Sequence, residues 1–253
     1  MGRGHLVLDI ETVPDLDLWQ PPEPQPGEPA AFAPHYAQRV VAIGAMLLDD
    51  AYGLQRMGIV GDRRPEVEQL RALAGWLERI ERERPILVSY NGRGFDLPVI
   101  ALRCLGHGVP FAFYYSTRDV RYRYSEDGHL DLMDCLTDHG AARPSPSLDA
   151  LARTIGLPGK LGTSGAQVDE MFRAGRLDEI KTYCLGDVAQ TAFLLLRYRL
   201  LQGRLLRDGY RARAGALLAR LEETPATRDM CARIDRARLL LSEECGEQLG
   251  LGS

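Results

Sequence analysis

Apolar residues fall along this chain in two alternating regimes. His5 to Ile10 is a short apolar run ending in Asp9-Ile10-Glu11-Thr12, and Val40 to Leu48 is a second; both read as buried strands. Leu54 to Val60 reads as a third, and the short connections favour an antiparallel meander. From Pro65 to Arg84 the spacing becomes helical, with Val67, Leu70, Leu73, Leu77 and Ile80 on one face and charges on the other. Pro85 to Tyr90 is a fourth strand, Asn91-Gly92-Arg93-Gly94 a turn, and Asp96 opens a helix running to about Leu105. Leu130 to Leu132 is a short fifth strand. Ser147 to Ile155, Ala166 to Ala174 and Leu177 to Leu201 then read as helices, with glycine-rich breaks at 156–159 and 162–165. Between the first two strands, Val13 to Pro34 carries seven prolines, which forbid a regular element and imply a surface excursion.

Three strands, a helix, a strand, a helix and a last short strand predict an α/β fold, a mixed five-stranded sheet flanked by helices. Residues 1–200 suit one such domain, and 201–253 read as an Arg-rich helical extension interrupted near Thr224-Pro225. Of 253 residues, 45% are hydrophobic and 26% charged, a balance that supports a packed core and argues against disorder. No apolar run approaches the roughly 18 residues of a membrane span, and the N-terminus lacks the pattern of a secretory leader, so a cytoplasmic protein is expected. The five cysteines are odd in number and scattered without a CxxC pair, so neither a zinc ribbon nor a disulfide framework is suggested. A net charge of −4 gives no global sign of nucleic-acid binding, yet Arg197 to Arg238 holds 11 arginines against five acids. That stretch suits either a strand guide or a solvated helical face.

The carboxylates change the picture most. Asp9 and Glu11, two apart on a strand, project from one face, where two anions repel unless a cation lies between them; a solvated strand end is the plainer alternative. Asp96, after the glycine turn, is either a helix cap or a ligand. Tyr183 and Asp187, four apart, share a helical face, and Gly186 between them costs about 1 kcal/mol relative to alanine inside a helix. Oxygen-only donors suit hard divalent cations, Mg²⁺ or Mn²⁺. Two such ions can stabilise the attacking and leaving oxygens of a phosphoryl displacement.

Asp9-Ile10-Glu11-Thr12, Asn91-Gly92-Arg93-Gly94-Phe95-Asp96 and Tyr183-Cys184-Leu185-Gly186-Asp187 resemble, in order, the three motifs of the DEDD exonucleases in their tyrosine form. The resemblance extends to the predicted 3′–5′ exonucleases related to the proofreading domain of family B DNA polymerases. Val40 to Gly44, Tyr122-Arg123-Tyr124 with His129 to Asp134, and Ile155 to Lys160 carry that closer match. It implies a ribonuclease H-like fold over about residues 5–200. It further implies two Mg²⁺ or Mn²⁺ ions held by Asp9, Glu11, Asp96 and Asp187, with Tyr183 orienting the attacking water. The activity implied is release of nucleoside monophosphates from single-stranded DNA 3′ ends. Exoribonuclease activity on RNA ends is the alternative, and a noncatalytic nucleic-acid-binding scaffold a third reading.

Asn91, Gly92 and Phe95 are the candidate substrate contacts, the first by hydrogen bonding and the last by stacking or, equally, as a core residue. Tyr114 to Tyr124 interleaves rings with cations, as either a base-stacking surface or an exposed hairpin would. Lys160 between glycines lacks the following Ser or Thr of an NTPase phosphate loop. Asp131 and Asp134 read as structural.

Overall fold

The computed structural model describes residues 2–23, 31–80, 85–117, 119–159 and 165–242; Arg118, Lys160 and Cys245 lie outside them. Five strands, β1 (His5–Pro14), β2 (Gln38–Leu48), β3 (Leu54–Ile59), β4 (Ile86–Ser89) and β5 (His129–Asp131), form one sheet in the order β3-β2-β1-β4-β5. The β1–β2–β3 meander is antiparallel, whereas β4 pairs parallel with β1 and β5 with β4. This is the mixed five-stranded sheet expected from the element order. β1 runs four residues beyond the expected end, to Pro14, because β2 begins early enough to pair Pro14 with Gln38 across a bulge at Glu11/Thr12. A missing N–H is tolerated at a strand end, so Pro14 closes the strand without breaking it.

Helices cover both faces. On one lie α1 (Glu66–Ile80) and α2 (Asp96–His107), the latter followed by the short α3 (Ala112–Ser116). On the other lie α4 (Leu132–Leu136), α5 (Leu148–Thr154), α6 (Gly165–Arg173) and the 25-residue α7 (Leu177–Leu201). The two-residue period of β1 sorts its side chains between these layers. Leu6, Leu8 and Ile10 join Leu70, Leu73, Leu77, Leu97 and Ile100 on the α1/α2 side. Val7 joins Val188, Ala192 and Phe193 of α7, and Val13 joins Ile180 and Cys184. A strand buried on both faces explains why β1 reads as a continuous apolar run rather than an alternating one.

After α7 come α8 (Arg207–Glu223), α9 (Arg228–Cys231) and α10 (Arg236–Leu239). Tyr210, Ala214, Leu217 and Leu221 of α8 share one hydrophobic cluster with α7 and the sheet. Several of the arginines here are structural rather than solvated. Arg197 lies over the Tyr210 ring at 4.7 Å and donates to Leu239 O at 2.9 Å. Arg199, 2% exposed, pairs with Glu126 at 2.9 Å. Among the described residues no helix is long and apolar enough to cross a membrane.

The position of α7 is set at one point. Gly44 of β2 lies opposite Asp9 of β1, and a Cβ built on it would stand 2.7 Å from Cys184 Sγ and 3.0 Å from Val188 Cγ2. Absence of a side chain lets the helix settle directly on the sheet there. Gly44→Val should therefore lift α7, lowering stability in urea unfolding by about 1–3 kcal/mol, the range for overpacking a close-packed core. An unchanged unfolding midpoint would refute this contact as the determinant of α7's position.

Candidate active site

Three chain segments meet at the sheet edge where β1 outruns β4. Pairing of β1 with β4 stops at Val7, which leaves the Ile10 N–H available, and Asp96 Oδ1 accepts it at 3.0 Å. Asp96 is thus no ordinary helix cap. It occupies the first position of α2 but reaches across to β1, while Phe95 precedes it without a side-chain capping bond. Asp9 and Glu11 project towards α7, as their spacing requires, and their carboxylate oxygens lie within 4.8 Å of each other and of Cys184 Sγ.

The turn before Asp96 is fixed by a fifth acid. Asp131, at the end of β5, accepts from the backbone N–H of Asn91 (2.9 Å) and Arg93 (2.8 Å) and also caps α4 through Met133 N. Asn91 is left-handed, at φ 65°, a conformation asparagine tolerates. The glycines answer to the chain itself rather than to a ligand: a Cβ on Gly92 would collide with Ser89 and one on Gly94 with the Asn91 side chain. Arg93 ties the turn to the following segment through the carbonyls of Val120 and His129.

Asp9, Asp96, Tyr183 and Asp187 line one cleft of about 390 Å³ together with Asn91 and Phe95. Glu11, 7% exposed, does not line the cleft, and Gly92 is buried against Ser89 rather than along it. The opposite wall, which sequence reasoning missed, is Tyr90 with Ser145-Pro146-Ser147 and Leu148; Tyr90 Oη donates to Pro146 O at 2.6 Å. No residue pattern marked that loop, since its role depends on a contact 56 positions distant. Phe95 is both core and cleft: it packs with the α1/α2 cluster, and Phe32 and His35 flank its ring at 5.8 and 5.6 Å. The Tyr114–Tyr124 stretch is not a hairpin. Its first residues belong to α3, Arg121 lies over the Tyr114 and Tyr115 rings, and Arg123 pairs with Asp134 at 2.7 Å, so these cations serve the fold.

Among the described residues, the charges that act on Asp9 are those of acids. Burial first, then Asp96, Glu11 and Asp187, hold the Asp9 carboxyl well above its ordinary range. Asp96 is pushed up to about 7, chiefly by burial and further by Asp131 and Asp187, against the pull of backbone N–H groups. Cys184 stays a thiol, raised by burial and the same anions, and lies 3.6 Å from Asp9 Oδ2. The carboxylate oxygens of Asp9 and Glu11, with Cys184 Sγ beside them, could hold an ion, and oxygen donors suit hard divalent cations. Tyr183 is raised as well, by burial and then by Asp187, Glu11 and Asp9, and keeps its proton at neutral pH.

A family model described as a predicted 3′–5′ exonuclease related to the exonuclease domain of PolB matches residues 30–233. The chain belongs to that family. The match contains the Asn91–Asp96 and Tyr183–Asp187 segments and begins after Asp9 and Glu11, whose place beside them comes from the sheet. Among solved structures, the chain is similar to the family B DNA polymerase of the archaeon Pyrobaculum calidifontis. The TM-score is 0.55 and the identity 19%, over 88% of this chain and 29% of the polymerase. A fainter likeness, with TM-score 0.39 and 15% identity, links it to E. coli exonuclease I in complex with a dT13 oligonucleotide, over 79% of this chain and 42% of that one. No curated protein sequence matches the chain. The shared fold is the ribonuclease H-like one expected from the motifs.

Asp9 and Asp96 bind protons more readily folded than unfolded, so the metal-free fold loses stability as pH rises above the unfolded aspartate value of about 4 and through about 7. In EDTA the melting temperature should fall between pH 5 and 8, and excess Mg²⁺ or Mn²⁺ should remove the fall. Asp96→Asn should flatten the metal-free profile; an equally steep one would contradict the assignment of the burden to this carboxylate.

Proposed function

We propose that the protein is a two-metal-ion 3′–5′ exonuclease that releases nucleoside 5′-monophosphates from single-stranded DNA ends. The observation that carries this reading is the convergence of Asp9, Asp96, Tyr183 and Asp187 on one cleft, with the Glu11 carboxylate within 4.8 Å of that of Asp9. Asp9, Glu11 and Asp187 would hold one divalent ion, and Asp9 with Asp96 the other. Bound there, the ions supply Lewis-acid polarisation of the phosphate and a more acidic water.

The chain's own groups do the rest. The Ile10 N–H fixes the Asp96 carboxylate in orientation, and α7 presents Tyr183 and Asp187 one turn apart on the cleft. Tyr183, whose phenol is held above its ordinary range by burial and the neighbouring carboxylates without ions bound, would orient the attacking water by hydrogen bonding. Water oxygen bonds to the terminal phosphorus as the bond to the preceding O3′ breaks, and that oxygen takes a proton to leave a 3′-hydroxyl on the shortened strand. Asn91 and Phe95 on the cleft walls would hold the terminal nucleotide by hydrogen bonding and stacking. The cleft volume lies in the range of about 300–1,000 Å³ usual for small-ligand sites.

Incubation with 3′- and 5′-labelled single- and double-stranded DNA and RNA, with Mg²⁺, Mn²⁺ or EDTA, tests the proposal. Stepwise shortening from the 3′ end of single-stranded DNA, lost in EDTA, is expected. Preferential RNA trimming would favour the exoribonuclease alternative, and binding without cleavage under every metal condition the scaffold. Asp187→Ala should nearly abolish cleavage, whereas Tyr183→Phe should leave measurable activity, lower by roughly 10²-fold as for loss of a positioning contact.

A further inference from the structure

A second cleft, of about 320 Å³, lies beside the first and shares Tyr183 and Asp187 of α7 with it. Its walls come from α7 and from the corner between α8 and α9, including Gly186, Gln190, Asp229 and Arg233. Two features of these walls point to a ligand. Arg233 is exposed and makes no ion pair with a described residue. Gly186 interrupts a helix at a cost in propensity, yet a Cβ there would meet no described atom within 4 Å, so no internal contact demands the glycine. Gln190, 3% exposed, also lines the cleft and donates to Asp187 Oδ1 at 3.3 Å. Two acids also line the cleft. Glu179 is engaged by Arg176 at 2.6 Å, whereas Asp229 is exposed and makes no ion pair with a described residue.

We infer that this second cleft carries the single strand upstream of the cleaved bond, with Arg233 holding an internucleotide phosphate and Gly186 leaving room for the backbone against α7. The inference rests on the nuclease reading of the first cleft, because continuity through Tyr183 and Asp187 is what makes the two one path. It gives the α8–α9 corner a substrate role that its arginine count alone did not. A phosphate at Arg233 also sets the sign of the neighbouring charge: Asp229 opposes the strand electrostatically.

Binding of a dye-labelled dT20 to the full-length protein, followed by fluorescence anisotropy in EDTA so that no cleavage intervenes, separates the two claims. Arg233→Gln should weaken binding roughly tenfold at low salt and reduce the slope of log affinity against log salt by about 0.7, the loss of one phosphate contact to a single strand. Arg233→Lys should recover part of both, and Asp229→Asn should tighten binding about twofold. Affinity and salt slope unchanged in Arg233→Gln would overturn the strand path even if cleavage is normal, and so would absence of any oligonucleotide binding by the wild-type protein. Arg233-dependent binding by a protein that cleaves nothing with any metal would instead overturn the nuclease reading and keep the path.

Discussion

Contact between α7 and the sheet at Gly44 is the constraint on which the rest depends. α7 carries both Tyr183 and Asp187, while Asp9 stands directly across the ladder from Gly44, so the separation of the late and early motifs is set by how closely helix and strand approach. Cys184 and Val188 fill the space a side chain at 44 would need. The same helix is clasped from behind by α8, whose Tyr210 and Leu217 pack into the α7 cluster. The active edge is therefore assembled by long-range packing, not by local loop geometry.

That packing concentrates negative charge in a half-closed space. Asp9 is surrounded by Asp96, Glu11 and Asp187, and burial makes the repulsion worse. Two other carboxylates with little exposure are neutralised: Glu66 is met by Arg103 at 2.6 Å and by His107, and Asp134 by Arg123. The contrast marks the cleft as the place where stability has been given up for chemistry, since unfavourable charge is tolerated in a fold chiefly where function requires it.

Much of this was legible in the sequence, for identifiable reasons. α7 spans the same residues as its apolar run, and each expected strand is present, because both periodicities are direct consequences of burial on one or two faces. The four carboxylates and Tyr183 could be named from motif order. What could not be read was anything that depends on contacts distant in sequence. Asp96 suggested a cap, yet its partner is Ile10, 86 positions away. Gly92 suggested a substrate contact, yet it is kept small by Ser89. The Ser145–Leu148 wall and the α8–α9 corner carry no motif, and only the folded chain brings them to the cleft.

The clamp formed by Asp131 has a consequence for how such a site is dissected genetically. Its carboxylate is 2% exposed and holds the backbone of Asn91 and Arg93, and it lies outside the cleft lining. Removing it would release the turn that aims Asp96 and Phe95, so the loss of function would mimic that of a ligand. An alanine scan would thus enrol a fifth acid in the reaction. Its conservative amide counterpart, which still offers one oxygen acceptor to the turn, is the substitution that separates scaffolding from chemistry.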